Sequence, residues 1–224
     1  PESLTEFNNM LYFKANDSIN GQELWKSDGT NAGTVMVKDI NPGSNSSDIG
    51  VMTVLDNMLY FSANDGTNGQ ELWKSDGTTS GTEMVKDIYS GNQSSDVSGI
   101  TLFDNMLYFS ANGGTNGQEL WKSNGTSAGT VLVKDIPSGN SCCQPEELTV
   151  IGNTLYFSAT NNTFGHELWK SDGTTNGTVM VKDINPGGSG TFSAVGSNPD
   201  GLTVVGNTLY FTANDGTNGA ELWK

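Results

Sequence analysis

Arginine is absent from this 224-residue chain, and histidine occurs once, at His166. Arginine grips phosphate and carboxylate in a two-pronged fork, so its absence argues against anionic ligands. Ten lysines stand against 25 acidic residues, a formal charge of −15. Nucleic acid is drawn to basic faces and is not expected as a partner. An acidic surface favours cations, neutral polar ligands or solubility in salt. Cysteine is scarce too. The only two, Cys142 and Cys143, are adjacent. Neighbouring Cα atoms lie about 3.8 Å apart, so a bond between them is strained. Three states stay open: a vicinal disulfide, two free loop thiols, or pairing with another chain. Neither CxxC nor a Cys/His metal spacing occurs. No run approaches the roughly 18 apolar residues of a membrane helix, so membrane insertion is not expected, and no leader pattern opens the sequence.

What the chain does have is glycine, 29 residues of it, with hydrophobic residues at 34%. That balance suits many short strands joined by tight turns, and the apolar residues are periodic and rich in β-formers. Three landmarks recur in fixed phase. E-L-W-K places Trp25, Trp73, Trp121, Trp169 and Trp223 at spacings of 48, 48, 48 and 54. L-Y-F recurs from Leu11, Leu59, Leu107, Leu155 and Leu209, and V-K-D-I ends at Ile40, Ile88, Ile136 and Ile184. A repeat of this length is one supersecondary unit that buries its faces only by stacking on its neighbours.

The second copy shows the unit. Strand A is read at Met52 to Leu55, and Asp56-Asn57 is a two-residue hairpin turn, replaced by Gly152-Asn153 and Gly206-Asn207 later. Strand B runs from Met58 to Ala63, strand C from Gln70 to Lys74, and strand D from Thr82 to Ile88. The expectation is an all-β chain: a five-bladed β-propeller of four-stranded antiparallel blades, the fifth lacking its last strand. The blades fall at about 1–46, 47–94, 95–142, 143–196 and 197–224. The fifth copy stops at Lys224, which suggests an excerpt of a longer array or an incompletely traced end; otherwise its unfinished edge would invite self-association. The five tryptophans are read as packing between blades, and Lys86-Asp87 as a solvated ion pair.

The residues E-L-W-K-S-D-G-T followed by G-T-x-M-V-K-D-I resemble the ELWxxDGT repeat family, found in large secreted and surface proteins, chiefly of bacteria. The match covers nearly the whole chain. It implies a secreted or cell-surface location and a repeat class, without an activity. In size and blade number alone, the chain also resembles five-bladed lectins of the tachylectin type. Their motifs differ, so no sugar-binding residue is carried over. Six N-x-[ST] sequons, at Asn16, Asn45, Asn92, Asn124, Asn161 and Asn176, are compatible with secretion.

Candidate binding groups cluster at the loop between strands B and C, N-D-G-T-N-G, and the glutamate after it. These are Asp17, Asn20 and Glu23; Asp65, Asn68 and Glu71; Asn116 and Glu119; and Asp215, Asn218 and Glu221. Their oxygens suit a hard cation, with Asp65, Asn68, Glu71 and their equivalents as a calcium set. The competing reading is a turn whose Asp and Asn satisfy backbone amides. The S-D-G-T loops read as turns more strongly still. His166 replaces Gln70 of the repeat and reads as a surface variant, which leaves no Ser-His-Asp or Cys-His set. The expected function is therefore a non-catalytic extracellular binding or adhesion module, lectin-like, with glycans as ligands and calcium as the candidate cofactor. The alternative is a structural repeat protein that assembles into a surface layer or filament.

Overall fold

The computed structural model describes residues 1–136, 144–186 and 196–224. Every regular element among them is a strand, and the strands form five antiparallel sheets. The first blade holds β1 (Glu2–Phe7), β2 (Met10–Asn16), β3 (Gln22–Ser27) and β4 (Val35–Lys38). The second holds β5 (Thr53–Leu55), β6 (Met58–Asn64), β7 (Gln70–Ser75) and β8 (Glu83–Lys86). The third holds β9 (Ser98–Phe103), β10 (Met106–Asn112), β11 (Gln118–Ser123) and β12 (Val131–Lys134). The fourth holds β13 (Glu146–Ile151), β14 (Thr154–Asn161), β15 (Gly165–Ser171) and β16 (Val179–Lys182). The fifth has three strands, β17 (Asp200–Val205), β18 (Thr208–Asn214) and β19 (Ala220–Trp223). The chain is a five-bladed β-propeller whose last blade is three-stranded. The innermost strands β5, β9, β13 and β17 follow one another side by side. Cys142 and Cys143 lie outside the described residues.

Local chemistry explains the hairpins. A two-residue loop that follows the twist of its strands needs positive φ at both positions. Asp56 and Asn57 have φ of 47° and 59°, and Asp104 and Asn105 repeat the pair at 49° and 55°. Asp and Asn tolerate this region because their short side chains bond locally.

In the second, third and fourth blades the middle strands are covered on both faces, because each blade is pressed between two others. Phe61, Phe109 and Phe157 are fully buried, as are Leu72 and Leu120. A hydrophobic cluster sits at each junction between consecutive blades. At the first junction Phe7, Tyr12, Leu24, Val37 and Ile40 meet Leu59, Phe61, Ala63 and Trp73. Each large side chain buried there contributes about 1.5–3 kcal/mol. Trp73 and Trp169 belong to these clusters, and Trp121 and Trp223 pack against them.

Polar bonds tie the same junctions. The E-L-W-K lysine donates to a glycine carbonyl of the next blade's S-D-G-T loop: Lys26 to Gly77 at 2.8 Å, Lys74 to Gly125 at 3.2 Å and Lys122 to Gly173 at 2.9 Å. The phenol oxygens of Tyr12, Tyr60 and Tyr108 lie over those glycines so closely that a Cβ there would overlap them. Burial pushes each of these phenols above its ordinary pKa, with a smaller push from nearby aspartates.

The end faces differ. Leu11 of the first blade is 39% exposed where its equivalents Leu59, Leu107 and Leu155 are fully buried. On the fifth blade Val205 is 61% and Leu222 73% exposed, although Leu24, Leu72 and Leu120 are fully buried at the position of Leu222.

Strand D is shorter than the sequence implies. In the second blade β8 ends at Lys86, and Asp87-Ile88 leaves the sheet because the Ile88 N–H donates to buried Glu71. The expected Lys86–Asp87 ion pair is not what these side chains do. Asp87 lies just past the end of β8, where the chain turns out of the sheet, and the two side chains find different partners. Lys86 donates to the Thr130 carbonyl at 2.7 Å and lies 5.8 Å from the Trp121 ring centre, while Asp87 accepts from the Gly91 N–H at 3.2 Å. Lys38 repeats the arrangement with Thr82 and Trp73.

Candidate functional site

The loops of strands B to C and the linkers of strands D to A share one face, as the blade geometry requires. The Ser47 N–H donates to the Gln22 carbonyl at 3.0 Å, and the Ser95 N–H to Gln70 at 3.0 Å. Gly21 and Gly69 allow this approach, since a Cβ at either would strike the linker backbone at Asn45 or Gln93.

On this face Asp17 and Asn20 hold each other. One Asp17 oxygen accepts from the N–H groups of Ile19 and Asn20 at 2.9 and 2.8 Å, and the other accepts from the Asn20 amide at 2.7 Å. Asp65 with Asn68 and Asp215 with Asn218 repeat the clamp. The backbone bond from Asn20 leads the effects that hold the Asp17 carboxyl below its ordinary pKa, and the bond from Asn218 does so at Asp215. At Asp65 partial burial pushes upward, but the bonds from Asn68 and Thr67 together outweigh it and leave the carboxyl lowered. Asn116 has glycine in place of the aspartate and instead donates to Asp135 at 2.9 Å.

The glutamates do not join these loops. Glu23, Glu71 and Glu119 are buried in their blades, and Glu71 accepts from Ile88 N–H at 2.8 Å, Ser95 N–H at 3.2 Å and Ser95 Oγ at 2.7 Å. Glu23 and Glu119 accept from Ile40 and Ile136 in the same way. Burial pushes the Glu23 carboxyl up to about 7, and burial raises Glu71 as well. Asp65, Asn68 and Glu71 therefore do not form a common cation cage. The physical reason is register: Glu71 faces Ala63 across the β6–β7 pair and closes the end of strand D inside the blade. Among the described residues no group of three or more His, Cys, Asp or Glu is gathered as for a metal ion. Glu221 alone is exposed. His166 lies against the linker at Gly196 and pairs with Thr160 in the sheet.

The S-D-G-T loops are self-satisfied turns, as expected. Ser75 and Thr82 share a hydrogen bond of 2.7 Å, and Thr78 donates to Asp76 through both its N–H and its hydroxyl.

The opposite face carries a cleft that the sequence reading did not single out. A cavity of about 360 Å³ opens between the third and fourth blades, lined by Leu102, Phe103, Asp104, Val150, Asn153 and Asp172. Gly152 completes its rim. Asp104 comes from the β9–β10 turn, Asn153 from the β13–β14 turn, and Asp172 from the loop after β15. Bonds from the Thr174 hydroxyl and N–H hold Asp172 below its ordinary pKa, so it is an ionised acceptor. The buried Tyr108 phenol lies against Gly173, next to Asp172, with its ring 5.3 Å from that of Phe103. The arrangement offers two carboxylate acceptors, an amide that both donates and accepts, and an apolar wall. Leu102 is 41% exposed there. These residues are up to about 70 positions apart in the chain, and only the sideways stacking of blades brings them together. The available signal was the aspartate recurring at turns that all point to one face.

No family model matches the chain, and no curated protein matches it. Among solved structures it is similar to a prolyl endopeptidase, at 11% identity and a TM-score of 0.53 over 96% of this chain and 33% of that one. It is similar to puromycin hydrolase at 14% identity and a TM-score of 0.52, over 91% of this chain and 31% of that one. Prolyl oligopeptidase B from Galerina marginata aligns at 11% identity and a TM-score of 0.53, over 92% of this chain and 28% of that one. This chain thus spans a third or less of the length of each. The likeness is one of propeller fold alone and carries no catalytic residue across.

Proposed function

We propose that the chain is a non-catalytic, extracellular binding module whose ligands are neutral and hydroxyl-rich, with glycans as the leading class. The observation that carries this is the cleft of Asp104, Asn153 and Asp172 beside Leu102 and Val150. Carboxylates and an amide accept and donate to vicinal hydroxyls, while the apolar wall takes a sugar's C–H face. With no arginine in the chain, an anionic ligand would lack its usual fork. The likeness of E-L-W-K-S-D-G-T to repeats of secreted and surface proteins supports the extracellular location. Equivalent turns at neighbouring junctions would add weak sites into useful avidity.

A glycan array, run with chelator and with calcium, tests the proposal. The control variant is Asp104→Asn with Asp172→Asn. Asn124 already occupies the position of Asp172 in the third blade and makes the same bonds to Thr126, so the loop tolerates the exchange. Retention of a glycan that the double variant loses supports the reading. A wild-type chain that retains no glycan in either condition refutes it.

A second reading, a structural protein of a surface layer or filament, draws on the exposed end faces around Leu11, Val205 and Leu222. Concentration-dependent polymerisation in sedimentation would support it, and a monomer across the full range would oppose it.

A further inference from the structure

We propose that the chain carries a second binding site, between the second and third blades on the face of the B–C loops, and that it takes a small neutral carboxamide. The site is separate from the cleft at Asp104 and Asp172, which lies on the other face between the third and fourth blades, so it does not depend on the glycan reading.

A cavity of about 280 Å³ opens there, lined by Gly50, Ser62, Gln70, Val97, Ser98 and Ile100 among others. Ser62 is 3% exposed, yet its hydroxyl has no hydrogen-bond partner among the described residues. A buried hydroxyl left unpaired is costly, and one that lines a cavity points to a ligand. Gln70 is half engaged. Its Nε2 donates to the Asp48 carbonyl at 3.0 Å, while its Oε1 accepts nothing among the described residues.

The other blades show why these two groups stand open. The first fills this position with an ion pair of 3.3 Å between Lys14 and Glu2, which face each other across its sheet. In the third, Ser98 faces Ser110, whose hydroxyl donates to the Gln118 Oε1 at 2.5 Å. The fourth sets Glu146 opposite Ser158, and in the fifth the Thr212 hydroxyl donates to the Asp200 carbonyl at 3.3 Å. Gly50 alone brings no side chain to this position, and its N–H donates to the Ser62 carbonyl at 3.0 Å. A Cβ on Gly50 would strike the Ser62 Oγ. Ser98 supplies that Cβ in the third blade, and the serine opposite turns to its glutamine. Glycine lets the Ser62 hydroxyl rest over the backbone, apart from Gln70.

The chemistry of the wall selects the ligand. None of the eight residues that line the cavity is charged, so an ion would lose its water there without meeting a counter-charge. A carboxamide satisfies both open groups at once. Its oxygen accepts from the Ser62 hydroxyl, as the Gln118 carboxamide does from Ser110, and its N–H donates to the Gln70 Oε1. Its hydrocarbon end meets Val97 and Ile100.

The test titrates isobutyramide into the whole nitrogen-15-labelled chain and follows the backbone amide signals of Gly50, Ser98 and Gly99. A saturable shift with a dissociation constant of about 1–10 mM is expected, the range open to so small a ligand. Isobutyrate and isobutanol, which lack the amide's paired acceptor and donor, should each bind at least about fivefold more weakly. Ser62→Ala removes a hydroxyl that holds nothing in the fold and should weaken the amide at least about fivefold. Gly50→Ser copies the third blade, turns Ser62 towards Gln70 and should abolish the shifts. The absence of a saturable shift overturns the proposal, as does equal binding of isobutyrate or isobutanol, or binding that neither substitution weakens.

Discussion

Replacing Glu71 by alanine tests whether the repeat glutamate is a structural clasp rather than a ligand. Glu71 accepts the N–H groups of Ile88, Tyr89 and Ser95, at 2.8, 3.4 and 3.2 Å, and the Ser95 hydroxyl at 2.7 Å. Alanine removes both acceptors and leaves the Ile88 and Tyr89 N–H groups inside the blade, while the Ser95 N–H and hydroxyl keep the Gln70 carbonyl as acceptor. A buried donor without a partner costs about 1–3 kcal/mol. The Tyr89 bond is long, and some relaxation will follow, so the expected loss is about 2–3 kcal/mol. Glu71→Gln keeps one acceptor oxygen and should lose about 1–2 kcal/mol. Glu221→Ala removes the equivalent group where it is exposed and should stay within about 0.5 kcal/mol of the wild type. Urea unfolding of all three variants at one pH, followed by tryptophan fluorescence, gives the ranking. If Glu71→Ala unfolds at the same urea concentration as Glu221→Ala, the clasp has no energetic weight and the reasoning fails.

Other consequences are equally direct. The Glu23 carboxyl titrates at about 7 in the fold against an ordinary 4.5, so its protonated form is favoured by folding. Its contribution is full below the unfolded value and lost as pH rises through the folded one, a change of roughly 3 kcal/mol. Glu23→Gln should flatten stability across that window, and an unchanged slope in urea unfolding measured from pH 4 to 8 would oppose this. Gly125→Ala should cost more than about 1 kcal/mol, because φ is 80° and a Cβ would strike the Tyr60 hydroxyl. Thermal unfolding equal to wild type would contradict that contact. Lys38→Met removes the bond to Thr82 and the contact with Trp73, with an expected loss of about 1–2 kcal/mol. A merely solvated lysine would show no change.

The order of the strands was legible because three landmarks keep their phase, and tight turns between them leave room for little but hairpins. Asp56-Asn57 announced its turn by residue type alone. The roles of charged residues were harder to read. Glu71 and Asp65 are six positions apart and look like a ligand pair, but strand register turns one into the blade and leaves the other in its loop. Lys86 and Asp87 are adjacent and look like an ion pair, but the chain leaves the strand between them and each finds a backbone partner of its own. The cleft of Asp104, Asn153 and Asp172 was invisible for a different reason. It exists only where two blades meet, and a linear reading of one repeat does not contain that junction.

The most direct measurement is a nuclear Overhauser contact between the Tyr60 ring and the Gly125 α-protons in the whole chain. The two residues belong to different blades, and the fold places the phenol against that glycine. A strong cross-peak there, with its counterpart between Tyr108 and Gly173, is the predicted result. Correctly folded hairpins without either cross-peak would mean that the sheets do not pack side against side, and the junctions and the cleft would fall together.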